Sequence, residues 1–457
     1  MVEAFKNVFK IPELRTRIFF TLGALIVFRI GAHIAVPGID MVALQDFFKD
    51  LVSKQQGSGG NAFMDFVSLF TGGALTRFAI FGLGVMPYIS SSIIMQLLQV
   101  VLPPLEKLAK EGDYGRRKIN LYTRYLSIGL AVVEGIGMLI YFNTSVWNQA
   151  HYVAPLKESS PFMFSFLFIA TLTSGTMFLL WLGEQITERG IGNGVSLLIF
   201  AGIVARVPSV IQESVVTGTG EQGYIIKMIL LVIIFIALIA LVTFIQQGER
   251  RVTVKYAKRV VGNKMYQGQN TFIPFKVDGS GVIAIIFASS VVLFPSQLLG
   301  TFGGDSDLLR KIANLLSPGP LPGSLLYYFI YLFLVVFFCY FYTAVIYNPN
   351  EIAEHVRKNG GFIPGIRPGE QTGLFLQKML NRLILPGAII MGFIAIVPSI
   401  LANLLGLSLS VANVLGGTTL LIMVGVALDT LKQLESQLRS RNLEGFIKHG
   451  KIRGRNY

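Results

Sequence analysis

A single cysteine, Cys339, stands among 457 residues. No disulfide can form within the chain, so the fold must hold without one. Its apolar neighbours mark Cys339 as a small buried or lipid-facing side chain. Charge is scarce as well: Asp, Glu, Lys and Arg make up 14% of the residues, against roughly 25% in an ordinary soluble domain. The four histidines, His33, His151, His355 and His449, are scattered. There is no HExxH pair, no GxxxxGK-S/T phosphate loop and no G-x-S-x-G elbow. Gly194-Val195-Ser196 has the look of an intramembrane serine-protease fragment, yet no later span carries a histidine to activate Ser196. Carboxylates inside the apolar segments are few, chiefly Glu134 and Asp429. An ion-coupled pump needs a relay of them and an aspartyl protease a pair. For Glu134 two roles stay open, a structural hydrogen bond to a neighbouring helix and a gating group. These absences argue against an enzyme and against any resident cofactor or metal.

What the chain has in abundance is apolar length. It is 53% hydrophobic, its mean hydropathy is +0.62, and runs of about 20 apolar residues recur, the length that spans a bilayer as a helix. The expected fold is all-α, a polytopic membrane protein. Candidate spans are 18–36, 77–102, 121–142, 162–182, 194–211, 224–245, 281–300, 324–347, 383–405 and 411–430. The basic residues before the first span resemble a signal-peptide n-region, but no A-x-A-like site follows, so that span reads as retained. Most of the 39 lysines and arginines fall on the side of the N-terminus; Lys49, Lys54, Lys157, Arg206, Lys227, Arg310 and Lys311 fall opposite. By the positive-inside rule both termini are cytoplasmic.

The stretch 61–102 breaks the pattern. Ala62–Phe70 is apolar but would rise only ~14 Å as a helix, half of a ~30 Å hydrocarbon core. It stops at Thr71-Gly72-Gly73, and a second apolar segment, Arg77–Leu102, follows. Broken backbone at membrane depth is tolerated only inside protein or beside a water-filled path, so this stretch reads as closing and lining a pathway.

Two loops on the cytoplasmic side are too long and too basic to be mere connections. Gly248–Ser280 alternates like a hairpin, with Val252, Val254 and Tyr256 on one face and Arg251, Thr253 and Lys255 on the other. Asn348–Arg382 carries a turn-rich tip, GGFIPGIRPGEQT, with Arg367 in it. Two such projections on one face suit a docking surface for a large partner. The external stretches 37–60 and 144–161 read as solvated caps. An even split of spans suggests two pseudo-symmetric five-helix halves, 1–211 (spans 1–5) and 212–457 (spans 6–10, both long loops and the tail), with the pathway between them.

Seven stretches, in order along the chain, resemble the SecY family, the central subunit of the protein-conducting translocon. They are VPGID (36–40), FTGGALTRFAIFGLGVMPYISSSIIMQLL (70–98), GEQITERGIGNGVSLLIFAGIVA (183–205), RRVTVKYAKR (250–259), GVIAIIFASSVVLFP (281–295), GGFIPGIRPGEQT (360–372) and GGTTLLIMVGVALD (416–429). The resemblance implies ten transmembrane helices around an hourglass channel that opens sideways to lipid between spans two/three and seven/eight. It implies a half-helix plug at Phe63–Leu75, including Phe63, Met64, Phe66, Val67, Leu69 and Phe70. It puts a sealing ring of aliphatic side chains at Val85, Ile89, Val195, Ile199, Ile286 and Ile422. Apolar walls at a narrow waist dewet and exclude ions without binding the passing chain. Ser91, Gln96, Ser289 and Ser290 fall at the lateral gate, where small residues allow close but separable contacts. Arg251, Lys258, Arg259 and Arg367 would dock the SecA motor or the ribosome. SecE and SecG subunits, signal peptides, unfolded precursor chains and membrane lipid are the further partners implied, in a bacterial cell membrane, with no nucleic-acid specificity beyond ribosome docking. A secondary solute transporter is the alternative; the missing coupling carboxylates and the oversized basic loops count against it.

Overall fold

Proline sets where several of the helices begin, because its fixed φ and missing N–H cost nothing in a first helical turn. The computed structural model describes residues 11–40, 43–44, 71–75, 77–143, 154–218, 224–256, 259–261, 264–266, 270–279, 283–292, 315, 325–404 and 416–449. Pro12 opens α1 (Pro12–Gly31), and Pro87 lies in the first turn of α2 (Met86–Val101). Pro103 opens the short α3 (Pro103–Lys110), and Pro155 opens α5 (Pro155–Ser159). Pro161 opens α6 (Pro161–Arg189). Between α2 and α3 the chain turns by 100°. Leu102, at φ −100° and ψ 110°, is in the extended region that a following proline enforces. The remaining helices of the first part are α4 (Asp113–Phe142) and α7 (Gly194–Gly218).

Beyond them lie α8 (Tyr224–Gln247), a small β region, α9 (Ile283–Val292), α10 (Leu325–Ile346), α11 (Pro349–Lys358), α12 (Glu370–Leu404) and α13 (Gly417–His449). Each of the ten expected spans therefore contains a helix. Among the described residues six helices are long and apolar enough to cross a membrane, or seven when the bent α2–α3 pair is taken as one span.

The segment 77–102 departs from the expectation of one continuous helix. Residues up to Val85 run as tight turns, and the helix starts only at Met86. Gly72, Gly73 and Gly84 have φ of 66°, 81° and 59°, and Phe78 has φ 46°, values that a right-handed helix cannot contain. The backbone groups so freed pair elsewhere: Val36 N donates to the Phe78 carbonyl at 2.8 Å and Ile80 N to the Ile34 carbonyl at 2.9 Å. Thr71–Leu75, Phe78, Ala79 and Phe81–Val85 are buried, which is how non-helical backbone survives at membrane depth.

The chain forms two compact units, one of Met1–Glu213 with Val426–Tyr457 and one of Ser214–Gly425. In the first, the turn block is the centre of the core. Phe78 stacks obliquely on Phe142 with ring centroids 4.1 Å apart and lies 6.3 Å from Phe168. Leu75, Leu83, Phe164 and Leu172 complete the cluster. Val36, Leu44 and Ala154 are buried in the same cluster, so the two external stretches, which expose Pro37, Asp40, Pro155 and Pro161 as caps would, are also anchored in the core at Leu44 and Ala154. The reason is apolar area: an aromatic core at a helix end needs a lid, and these residues supply it. Helix packing is close: a Cβ on Gly175 would stand 2.1 Å from the Ile80 carbonyl oxygen, and one on Gly31 would enter the Phe81 ring.

In the second unit β1 (Glu249–Tyr256) pairs antiparallel with β4 (Asn270–Lys276), Glu249 opposite Lys276 and Lys255 opposite Asn270. Between them β2 (Arg259–Val261) and β3 (Lys264–Tyr266) make a separate two-stranded hairpin. Val252 and Val254 are buried while Arg251, Thr253 and Lys255 are exposed, the alternation expected of this loop. A third strand, β5 (Gly361–Phe362), joins the other edge of β1, giving the order β4-β1-β5. The two long loops, separate in the sequence reading, thus share one sheet. α10 packs along α12, and a Cβ on Gly417 at the start of α13 would stand 1.7 Å from the Ile394 carbonyl oxygen.

Candidate functional site

Four of the six ring positions lie in the first unit, and they come in two pairs of the same kind. Val85 is the N-cap of α2, and Ile89 N donates to the Val85 carbonyl at 3.1 Å. Val195 and Ile199 occupy the first and second turns of α7, which opens at Gly194. Residues four apart share a helix face, so each pair presents two aliphatic side chains from a helix start. Val85 and Ile199 are buried; Ile89 and Val195 are half-buried. Val195 is held by a near contact, since a Cβ on Gly183 of α6 would stand 3.1 Å from its Cγ2. In the second unit Ile286 lies in α9 and Ile422 in the second turn of α13, both buried. The plug positions Phe63, Met64, Phe66, Val67, Leu69 and Phe70 lie outside the described residues, but the end of that segment, Thr71–Leu75, is described and buried.

The gate positions have their polar groups spent within their own helices. Ser91 Oγ donates to the Tyr88 carbonyl at 2.8 Å, and Gln96 Nε2 to Ser92 Oγ at 3.4 Å. Ser289 and Ser290 Oγ both donate to the Ile286 carbonyl, at 2.9 and 2.8 Å. Back-bonded hydroxyls of this kind need no partner on another helix. A helix face carrying them can separate from a neighbour without stranding a buried donor.

On the basic sheet, Arg251 is exposed, paired with Glu249 at 2.6 Å, and lies over the Phe272 ring at 4.9 Å. Its charge therefore stays at the sheet face on a supported side chain. Arg259 lies in β2 opposite Tyr266, and Lys258 lies outside the described residues. Arg367 is exposed at the tip of the second loop. That tip is rigid by construction: Gly365 and Gly369 sit at φ 83° and 104°, Ile366 N donates to the Ile363 carbonyl, and Thr372 Oγ1 donates to the Arg367 carbonyl at 2.9 Å. Beside it, exposed Leu374 and Phe375 and the lysine Lys378 line an open groove with Arg367. On α11 the carboxyl of Glu354 is held below the usual carboxylate range by a hydrogen bond from Lys358. The sheet and tip are thus linked through β1–β5, with Lys255 opposite Phe362.

Two features escape sequence reading. Glu184 of α6 forms a two-pronged pair with Arg124 of α4, at 2.9 and 2.6 Å. At sequence level they are only two charges sixty residues apart. Arg29 and Arg77, which mark span ends in the sequence, converge on the turn block: Arg29 Nη1 donates to the Gly72 carbonyl at 3.2 Å and Arg77 Nη1 meets His33 Nε2 at 2.7 Å.

A multi-pass helical protein with a buried, non-helical block inside one unit, aliphatic pairs at helix starts and a rigid basic sheet belongs to the class of membrane channels and transporters. Comparison narrows the class. The SecY family model matches residues 79–431. A protein translocase subunit SecY from Thermotoga maritima is 43% identical over 455 residues, covering all of both chains. A solved structure described as that of a protein-conducting channel superposes with a TM-score of 0.63 at 18% identity, over 93% of each chain. The channel of a canine ribosome-channel complex from the endoplasmic reticulum does so with a TM-score of 0.60 at 18% identity, again over 93% of each. The chain belongs to the SecY family.

Proposed function

We propose that this chain is the protein-conducting channel of a Sec translocase, passing unfolded secretory polypeptides across a membrane and releasing transmembrane segments sideways into lipid. The observation that carries the reading is the full-length similarity to a curated translocase subunit, 43% identical over 455 residues. The likeness to the channel of a ribosome-bound complex supports a ribosome as a source of drive; the SecA motor as the alternative driver and SecE and SecG as companion subunits follow from the family membership. It is a channel whose work is done by its partners, not an enzyme. Its setting is the bacterial cell membrane with both termini cytoplasmic, the orientation favoured by the distribution of basic residues.

In this reading residues 1–211 and 212–457 are the two halves, and Val85, Ile89, Val195, Ile199, Ile286 and Ile422 form the seal. Phe63–Leu75 is the plug. Ser91, Gln96, Ser289 and Ser290 border the lateral gate, and their self-satisfied hydrogen bonds suit surfaces that part and rejoin. Arg251, Lys258, Arg259 and Arg367 dock the driver. The test is reconstitution of the chain with SecE and SecG into liposomes, followed by SecA, ATP and a signal-bearing precursor. External protease should leave precursor protected only when ATP is present. Absence of protection, with SecA bound and the precursor unfolded, would return the solute-transporter reading.

A further inference from the structure

Arg29 lies in the last turn of α1, a helix that buries Leu14 and Phe28 and exposes Phe19, Leu22, Ile26, Val27 and Ile30 as lipid-facing residues are. An arginine near a membrane helix end ordinarily extends to water. This one turns into the protein. Its Nη1 donates to the carbonyl of Gly72, 43 positions on, at 3.2 Å. Four residues on, in the turn that follows α1, His33 makes the second tether. His33 Nδ1 lies 2.9 Å from the Arg29 carbonyl; a carbonyl only accepts, so Nδ1 carries the proton and Nε2 offers its lone pair to Arg77 Nη1 at 2.7 Å. The two ends of the segment from Gly72 to Arg77 are thus tied to the last turn of α1 and to the turn that follows it.

The tethered segment has little room. Gly72 sits at φ 66°, and a Cβ there would stand 3.2 Å from the backbone of Gly202 in α7 and 3.4 Å from the Arg29 guanidinium. Thr71 in turn lies under Gly84, where a Cβ would be 2.8 Å from Thr71 Cγ2. Gly84 precedes Val85. Contacts therefore run from Arg29 through Gly72 and Thr71 to the residue next to a ring position.

We propose that Arg29 is a positioning residue for the channel seal, supported by His33 and Arg77. It fixes Thr71–Gly73 and, through the contact of Thr71 with Gly84, keeps Val85 in place at the waist. The proposal rests on the ring reading above, and the experiment separates the two.

Proteoliposomes holding the full chain with its companion subunits are loaded with an iodide-quenched dye, and resting ion entry is measured without motor or precursor. The variants are Val85→Gly, Arg29→Met, Arg29→Lys and Arg77→Gln. Loss of a hydrogen bond from a charged donor should raise resting leak about tenfold in Arg29→Met, with Arg29→Lys restoring most of the seal and Arg77→Gln leaking less than Arg29→Met. Melting temperature is followed in parallel; a merely structural role lowers it without opening a leak. If Val85→Gly leaks while folded Arg29→Met does not, the positioning role fails and the ring stands. If neither leaks, the ring reading fails and the positioning role with it. Should Arg29→Met not fold, Arg77→Gln decides on the same criterion.

Discussion

At the scale of single residues, several glycines are determined by what touches them. Gly194 opens α7 with no room for a side chain, since a Cβ would lie 1.9 Å from the Gly183 carbonyl oxygen. Gly194→Ala must push α7 away from α6 and shift Val195, the next residue. A loss of about 1–3 kcal/mol is expected, the usual cost of overpacking, read as a lower melting temperature of the purified complex. The Arg124–Glu184 pair has the better geometry of the ion pairs here, being two-pronged. Its side chains are 47% and 30% exposed, so solvent screens it. A double-mutant cycle with Arg124→Gln and Glu184→Gln should give a coupling of about 1 kcal/mol or less. A much larger coupling would mean that the pair is shielded when the chain sits in its membrane.

At the scale of elements, the sheet that joins the two basic loops makes a prediction that separate loops would not. Val254 is 1% exposed and lies between β4 and β5. Val254→Asp buries a carboxylate without a partner, which is costly, and should loosen the 361–362 strand together with the Arg367 tip. SecA-driven transport should fall several-fold although no docking residue has changed, and proteolysis near 360–369 should quicken. Arg367→Glu acts differently. The tip stays folded, because the hydrogen bond there uses the Arg367 carbonyl and not its side chain. Motor association should slow and its dependence on salt should change, as for charges that steer encounter. Unaltered transport by Arg367→Glu would remove that residue from the docking surface.

At the scale of the whole molecule, function turns on a path that closes without binding what passes. Deletion of Phe63–Leu75 removes the proposed plug together with the Gly72 carbonyl that Arg29 holds. The expected result is a channel that still translocates precursor but leaks ions at rest, measured in the same liposomes. Tight resting channels after the deletion would show that the aliphatic ring alone seals the path.

Much of this was legible in the linear chain. Apolar runs of spanning length, few charges and one-sided basic residues determine a ten-span helical membrane protein, because a bilayer accepts little else. The valine–arginine alternation of 250–256 announced a strand through its period of two. The family motifs supplied the proposed ring and docking positions. Other features depended on distance in space. Residues 77–85 have the composition of a helix and become turns because Phe78 and Gly84 take left-handed φ and the Phe78 carbonyl and Ile80 N–H pair with Val36 and Ile34, just beyond α1. β5 is two residues long, too short to carry a pattern, and becomes a strand only because β1 offers it an edge. Arg29 has the same apolar neighbours as a charge that would reach for water, and only the position of the Gly72 carbonyl turns it inward. Local composition sets what can cross a membrane, whereas the pairing of freed backbone groups and buried charges is decided by which partners the folded chain brings within reach.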